Sequence, residues 1–430
     1  MISPDRTTKP IQHPIGTIQM IEPEKLILPN NVPVYELSAG TQELVKIELV
    51  FNAGSAHHSN PLTAAFTSGM LQEGTQKHNA REIASAIDDY GAFLETDHDK
   101  DFSAITLYTL NRHLDKTLPV VREILTEPTF PEKEWEIMRS NRLDKYRINL
   151  GKVNYLAGKR FQELLFNHSR YGSVVNEEAY QSLSRTDLEQ FWKEHFRMAD
   201  AIVLVSGRLD DQVRETIRKV LGSTVPLRHS FEKNLDFSGK THPVERVQFI
   251  EKKDAIQSAI RIGRRLFTKD HPDYFGMKVL STILGGYFGS RLMRNIREDK
   301  GYTYGIGAGV ACYRNDGYLA ISTEVGADVC EQALAEIYRE ISILQQESVP
   351  REELELVRNY LLGNLLKSFD GPMERMDRFK ATHLFGLNLE FYHQYAEAIR
   401  NIEAGTLQRL ANTWLQKDDL IELVVGRKGK

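Results

Sequence analysis

Cysteine is nearly absent: Cys312 and Cys330 are the only two in 430 residues, too few for a disulfide framework or a cysteine-built metal site. They are expected to be ordinary thiols in a reducing compartment. No apolar run reaches the ~18 residues that a membrane-spanning helix needs. Charge of one sign is missing as well. Lys and Arg number 55 against 59 Asp and Glu, for a net charge of −4, and no basic stripe or polybasic run stands out. Nucleic acids and anionic membranes are therefore not expected partners. The opening Met1-Ile-Ser-Pro-Asp-Arg-Thr-Thr-Lys-Pro10 has no apolar segment of the signal-peptide kind. A cytoplasmic chain is expected, or a periplasmic or organellar one if a leader has been removed. Histidine is missing from one particular stretch, with none between His58 and His78.

What remains is an ordinary globular composition, 41% hydrophobic and 27% charged. The length exceeds one typical core, and at ~150 residues per domain it allows two or three. The chain repeats itself. Pro131, Glu134, Glu136, Arg139 and Leu143 recur as Pro350, Glu353, Glu355, Arg358 and Leu362, each 219 positions later. The same offset links Leu188 to Leu407, and Ile202-Val-Leu-Val-Ser-Gly-Arg208 to Ile421-Glu-Leu-Val-Val-Gly-Arg427. Two copies at so long a period argue for two homologous domains and against a short-repeat solenoid.

Leu44–Phe51 and Ser258–Ile262 alternate apolar with polar residues, the pattern of half-buried strands. Helices are expected over Leu62–Glu73, Lys133–Tyr146, Tyr274–Leu284 and Arg351–Leu366. The first has Asn60 as its N-cap, Pro61 at the first helical position and Gly74 beyond its end. Each half closes on the Ile-x-Leu-Val strand. The fold class is α+β, with helices packed on one mostly antiparallel sheet per half. The expected units are 1–222 and 245–430, joined by a linker over 223–244 that holds Pro226, Gly239, Pro243 and many charges.

Phe51-Asn-Ala-Gly-Ser55, followed by Asn60-Pro-Leu-Thr-Ala-Ala-Phe-Thr-Ser-Gly-Met-Leu-Gln-Glu-Gly-Thr75, resembles the signature region of the insulinase/pitrilysin/mitochondrial processing peptidase superfamily. The likeness extends over roughly Glu24 to Arg427. It implies two homologous domains, each a six-stranded sheet covered by helices, facing one another as a clamshell. In the family an Ala-Gly-Ser strand end precedes a helix bearing His-x-x-Glu-His, two zinc ligands and a general base. Those positions fall here on Ala65, Ser68 and Gly69. The third family ligand, a Glu from a later helix, falls on Lys145, whose ammonium would repel a cation. No metal is expected. His57-His58 on a strand would point to opposite faces and chelate poorly, and Glu95–Asp101 is expected to be a solvated turn between two strands.

Leu284-Gly-Gly-Tyr-Phe-Gly-Ser-Arg-Leu-Met-Arg-Asn-Ile-Arg-Glu-Asp-Lys-Gly-Tyr-Thr-Tyr-Gly305 resembles the family's second signature, in which Arg and Tyr stand seven residues apart, here Arg297 and Tyr304. In active relatives the pair holds the substrate backbone and steadies the charge developing on the scissile carbonyl. A guanidinium that stays charged and a neutral phenol suit that task. Arg297 capping a helix that ends near Gly301, and Tyr304 merely packing in a strand, remain open alternatives. Tyr302 should face the opposite way. Gly285, Gly286 and Gly289 lack a following Gly-Lys-Ser/Thr, so they are expected to make turns, not a phosphate loop.

The resemblance implies a non-zinc subunit of a heterodimeric zinc metalloendopeptidase. A homologous partner would bring the zinc, and peptides would be degraded or processed in a closed chamber, where an extended peptide could add to a sheet edge. The rivals are a structural scaffold and a peptide-binding pseudoenzyme without catalytic part. Self-association through the partner surface stays open.

Overall fold

The computed structural model describes residues 7, 15–16, 18–167, 169–223 and 245–427. The expected linker 223–244 falls outside them except for Ser223. In the first half β1 (Glu24–Ile27), β2 (Pro33–Ser38), β3 (Leu44–Phe51), β4 (Phe93–His98), β5 (Ser103–Leu110) and β6 (Ile202–Gly207) form one sheet in the order β1-β2-β6-β3-β5-β4. In the second half β7 (Val247–Glu251), β8 (Gln257–Leu266), β9 (Ile306–Cys312), β10 (Gly317–Gly326) and β11 (Ile421–Gly426) follow the order β7-β11-β8-β10-β9. Without β1 the two orders are the same, which is the duplication seen in three dimensions. Each sheet is antiparallel except for one pair, β2 with β6 and β7 with β11. The second sheet has five strands among the described residues where the resemblance implies six. The segment that precedes β7 as β1 precedes β2 lies outside those residues.

Expected and observed elements differ mainly at their ends. Helix Thr63–Met70 starts later and stops earlier than expected. Asn60 does not cap it, because its Oδ1 accepts from Leu62 N at 2.9 Å while its amide donates to Ala179 O at 2.7 Å. Pro61 therefore sits in the preceding turn. The later helices run Glu132–Leu150, Tyr274–Ser281 and Arg351–Lys367. Glu95–His98 belongs to the edge strand β4, and the turn is confined to the residues after it.

On β3, Val45, Ile47, Leu49 and Phe51 enter the first half's helical core. Lys46 and Glu48, which the alternation would place in water, are only 5% and 4% exposed. Their cover comes from the other half. Helix Pro372–His383 lies across β2 and β6, with Phe379 against Tyr35 at 4.9 Å between ring centroids. Helix Val153–Leu165 makes the reciprocal crossing onto β8 and β11, where Val153, Ala157 and Phe161 cluster with Ala259, Leu423 and Val425. The two helices begin 219 positions apart, so the duplicated chain exchanges equivalent helices between its halves. Each buried Phe contributes roughly 1.5–3 kcal/mol of hydrophobic stabilisation. Ion pairs add to the seam: Lys46 Nζ to Asp377 Oδ1 and Lys380 Nζ to Glu48 Oε1, both at 2.7 Å. Asp101, reached by Tyr171 Oη at 2.5 Å and by the Arg314 amide at 2.9 Å, ties the other end.

Candidate functional site

Helix Thr63–Met70 follows β3 after the Ala53-Gly54-Ser55 segment, a 3₁₀ turn over Ser55–His57 and the turn that holds Pro61. Gly54 is required there, since a Cβ would lie 2.4 Å from the backbone of Asp101 and Lys100. Four residues apart, Ala65 and Gly69 share one half-buried face of the helix. Neither carries a donor atom for a metal. Ser68 turns inward, 2% exposed, and its hydroxyl donates to Ser103 Oγ at 3.2 Å.

Opposite this face stands helix Glu132–Leu150. Lys145 is on its exposed side, so the repulsion expected from its ammonium is not part of this site. The inward positions are Met138, Arg142 and Tyr146. A Cβ on Gly69 would lie 2.6 Å from Arg142 Nη2 and 3.3 Å from the Met138 thioether, and the Arg142 guanidinium covers the Phe66 ring at 4.5 Å. Burial lowers the Arg142 pKa, with nearby Glu73 opposing that shift, and burial, together with Glu134, raises the Glu73 carboxyl above its usual range. A cation of the protein's own thus faces Gly69. Arg142 was missed in the sequence, although the i, i+4 spacing from Met138 would have placed both on one helical face.

His57 and His58 lie at a short 3₁₀ turn, not on a strand. Burial, and next to it His195 with its ring centroid 5.4 Å away, lower His57 to a pKa of about 4. His58 Nδ1 is within 2.8 Å of Thr63 Oγ1. Among the described residues no three His, Cys, Asp or Glu side chains converge to hold a metal ion. The donor set at the family's zinc position does not fit a divalent cation.

The second signature lies on the other half. Gly285 is where the chain needs glycine, since a Cβ would meet Ala308 N at 2.6 Å. Arg291 clamps the segment to helix Arg351–Lys367 through two hydrogen bonds to Glu353, at 3.0 and 2.8 Å. Gly301, at φ +65°, ends the turn begun at Arg297, whose carbonyl accepts from Gly301 N at 3.2 Å. The Arg297 guanidinium lies over Phe288 at 4.6 Å. Tyr302 packs against the second half's core, whereas Tyr304 is 94% exposed. Thr303 fixes this alternation: its hydroxyl donates to Glu324 O at 2.7 Å and accepts from Gly305 N at 3.1 Å. Tyr304 precedes β9 and does not pack within it. Arg297 and Tyr304 are not among the described residues that line the cavity beside Ala65. No helix among the described residues is long and apolar enough to cross a membrane.

Comparison with known proteins agrees with this geometry. Residues 34–165 match the family model "Insulinase (Peptidase family M16)" and residues 182–361 match "Peptidase M16 inactive domain". The chain is 23% identical over 395 residues to the uncharacterized zinc protease YmxG of Bacillus subtilis, covering 90% of this chain and 91% of that one. It is 24% identical over 396 residues to the non-peptidase homolog YmxG of Helicobacter pylori, covering 89% of each. The crystal structure of a peptidase M16 inactive domain from Pseudomonas fluorescens has the same fold, with a TM-score of 0.83 at 20% identity over 95% of this chain and 100% of that one. This chain belongs to the insulinase (M16) peptidase family, with Ala65 and Gly69, which lack metal-binding atoms, on the helix after its Ala-Gly-Ser segment.

Proposed function

We propose that this chain is the metal-free subunit of a two-chain peptidase, with units over 1–222 and 245–430. A homologous subunit bearing His-x-x-Glu-His would hold the zinc. Arg297 and Tyr304 would reach from this chain to the peptide bound there, the guanidinium and the phenol donating to the substrate backbone and to the oxyanion. One observation carries the reading. At 94% exposure, Tyr304 is held out of its own fold by the Thr303 staple, seven residues after Arg297, while the first signature keeps none of the family's His and Glu side chains. A phenol with no packing task suits a surface completed by another molecule.

The test mixes this chain with the zinc-bearing homologue from the same cell and follows hydrolysis of unfolded peptides. Arg297→Ala and Tyr304→Phe are each expected to lower kcat by about 10²–10³-fold, the usual cost of one oxyanion donor, with assembly of the pair unchanged. Full activity in both variants would refute the catalytic part and leave the scaffold reading.

A further inference from the structure

A cavity of about 710 Å³ opens beside Ala65, between the first half and the crossing helix Val153–Leu165. Lys100, Lys152, Lys159 and Arg261 line it, and none of the described residues lining it is Asp or Glu. That is unexpected in a chain with a net charge of −4. All four cations donate to neutral groups. Lys100 donates to Ser173 O at 2.8 Å, Lys152 to Asn149 Oδ1 at 2.9 Å and Lys159 to Tyr146 Oη at 3.2 Å. Arg261, 9% exposed, donates to Ile260 O and to Asn154 Oδ1. None has a carboxylate within 4.0 Å among the described residues.

The duplication makes Arg261 the informative member. It pairs across its sheet with Leu423, as Glu48 pairs with Leu204 219 positions earlier. The two charges therefore occupy equivalent places, each beneath the helix lent by the other half. Glu48 meets Lys380 at 2.7 Å. Arg261 donates only to uncharged oxygens, those of Asn154, Ile260 and Thr323, and burial lowers its pKa, with Glu324 on β10 opposing that shift. Asp101, beside Lys100, is already engaged by Tyr171 and the Arg314 amide. A buried cation without a counter-charge is costly, and an anion in the cavity would offset that cost for Arg261 and Lys100 together. Pro61, Leu62 and Val174 supply an apolar wall, suited to an organic anion.

We propose that this cavity is a carboxylate-binding site for acidic peptides, spanning the two halves where active relatives would have their metal. The proposal names the peptide class for the preceding reading and rests on it only in that respect. Its test uses this chain alone, so failure here would leave the two-chain experiment standing, and the reverse.

The probe is an N-acetylated pentapeptide with two Glu residues and a free terminal carboxylate, titrated calorimetrically into the purified chain at pH 7 and low salt. Its comparators are the Gln-containing terminal amide and inorganic phosphate. The acidic peptide should bind at least about tenfold more tightly than the amide, with affinity falling as salt is added. Because removing Arg261 endangers the fold, the variant is the more accessible double substitution Lys152→Gln/Lys159→Gln, expected to weaken the acidic peptide by roughly tenfold and the amide not at all. Burial lowers Lys100 to a pKa of about 8, so binding should also weaken between pH 7 and 9. Equal affinity for acid and amide, an unaffected double variant, or binding of phosphate without the peptide would overturn the proposal.

Discussion

Placing histidines at Ala65 and Gly69 would rebuild the i, i+4 pair of the family's zinc helix, yet it is expected to fail while Arg142 is present. Arg142 Nη2 lies 2.6 Å from where a Gly69 side chain would begin, so the guanidinium must move, though its helix holds it nearby. A unit positive charge about 6 Å from a divalent ion, at an effective dielectric near 20, costs about 5 kcal/mol. Partial neutralisation by Glu73, the acid that opposes the lowering of the Arg142 pKa, reduces the expectation to about 3 kcal/mol, or roughly two orders of magnitude in affinity. Competition with a fluorescent zinc chelator would measure this. Ala65→His/Gly69→His should bind zinc about a hundredfold more weakly than the same variant carrying Arg142→Ala. Equal affinities, with both variants folded, would refute the view that Arg142 guards the position.

The exchanged helices give matched predictions. Phe161→Ala and Phe379→Ala, each 5% exposed in the native chain, should each cost about 3–5 kcal/mol in denaturant unfolding, and a near-neutral result at either would deny that crossing helix a structural part. Lys380→Ala leaves the buried Glu48 with Lys46 at 3.5 Å as its remaining ion-pair partner, and should destabilise by about 1–3 kcal/mol in the same assay. Burial and His195 keep the His57 pKa near 4, below its ordinary 6.5. The folded state then binds fewer protons than the unfolded state between those values. Stability should fall as pH drops from about 6.5 to 4, by up to about 3 kcal/mol before solvent screening, and His57→Gln should flatten that slope in thermal melts.

The fold was legible where the physics is local. The span of β3, the alternation of Ser258–Ile262 and the starts of the helices after Pro131 and Pro350 follow from residue patterns, and the repeat offset anticipated two matching sheets. What stayed hidden depends on contacts between distant segments. Lys46 and Glu48 looked like a water-facing row because alternation cannot reveal a helix arriving from more than 300 residues later. Arg261 looked like an ordinary polar strand position for the same reason. At the site, the structure sets Ala65 and Gly69 on one half-buried helical face, as their i, i+4 spacing anticipates. Lys145 could not be placed, because assigning it a role required the rotation of helix Glu132–Leu150, and that rotation brings Arg142 inward. Tyr302 and Tyr304 do face opposite ways, but a threonine staple ahead of the strand enforces this, and not the strand itself.

Counting zinc is the most direct measurement. This chain alone and its mixture with the zinc-bearing homologue would each be dialysed to equilibrium against micromolar zinc, then assayed for bound metal and for peptide hydrolysis. Background metal and no hydrolysis are predicted for the chain alone, with a single equivalent of zinc and chelator-sensitive hydrolysis for the pair. A stoichiometric zinc on the isolated chain, accompanied by hydrolysis that a chelator abolishes, would contradict the account.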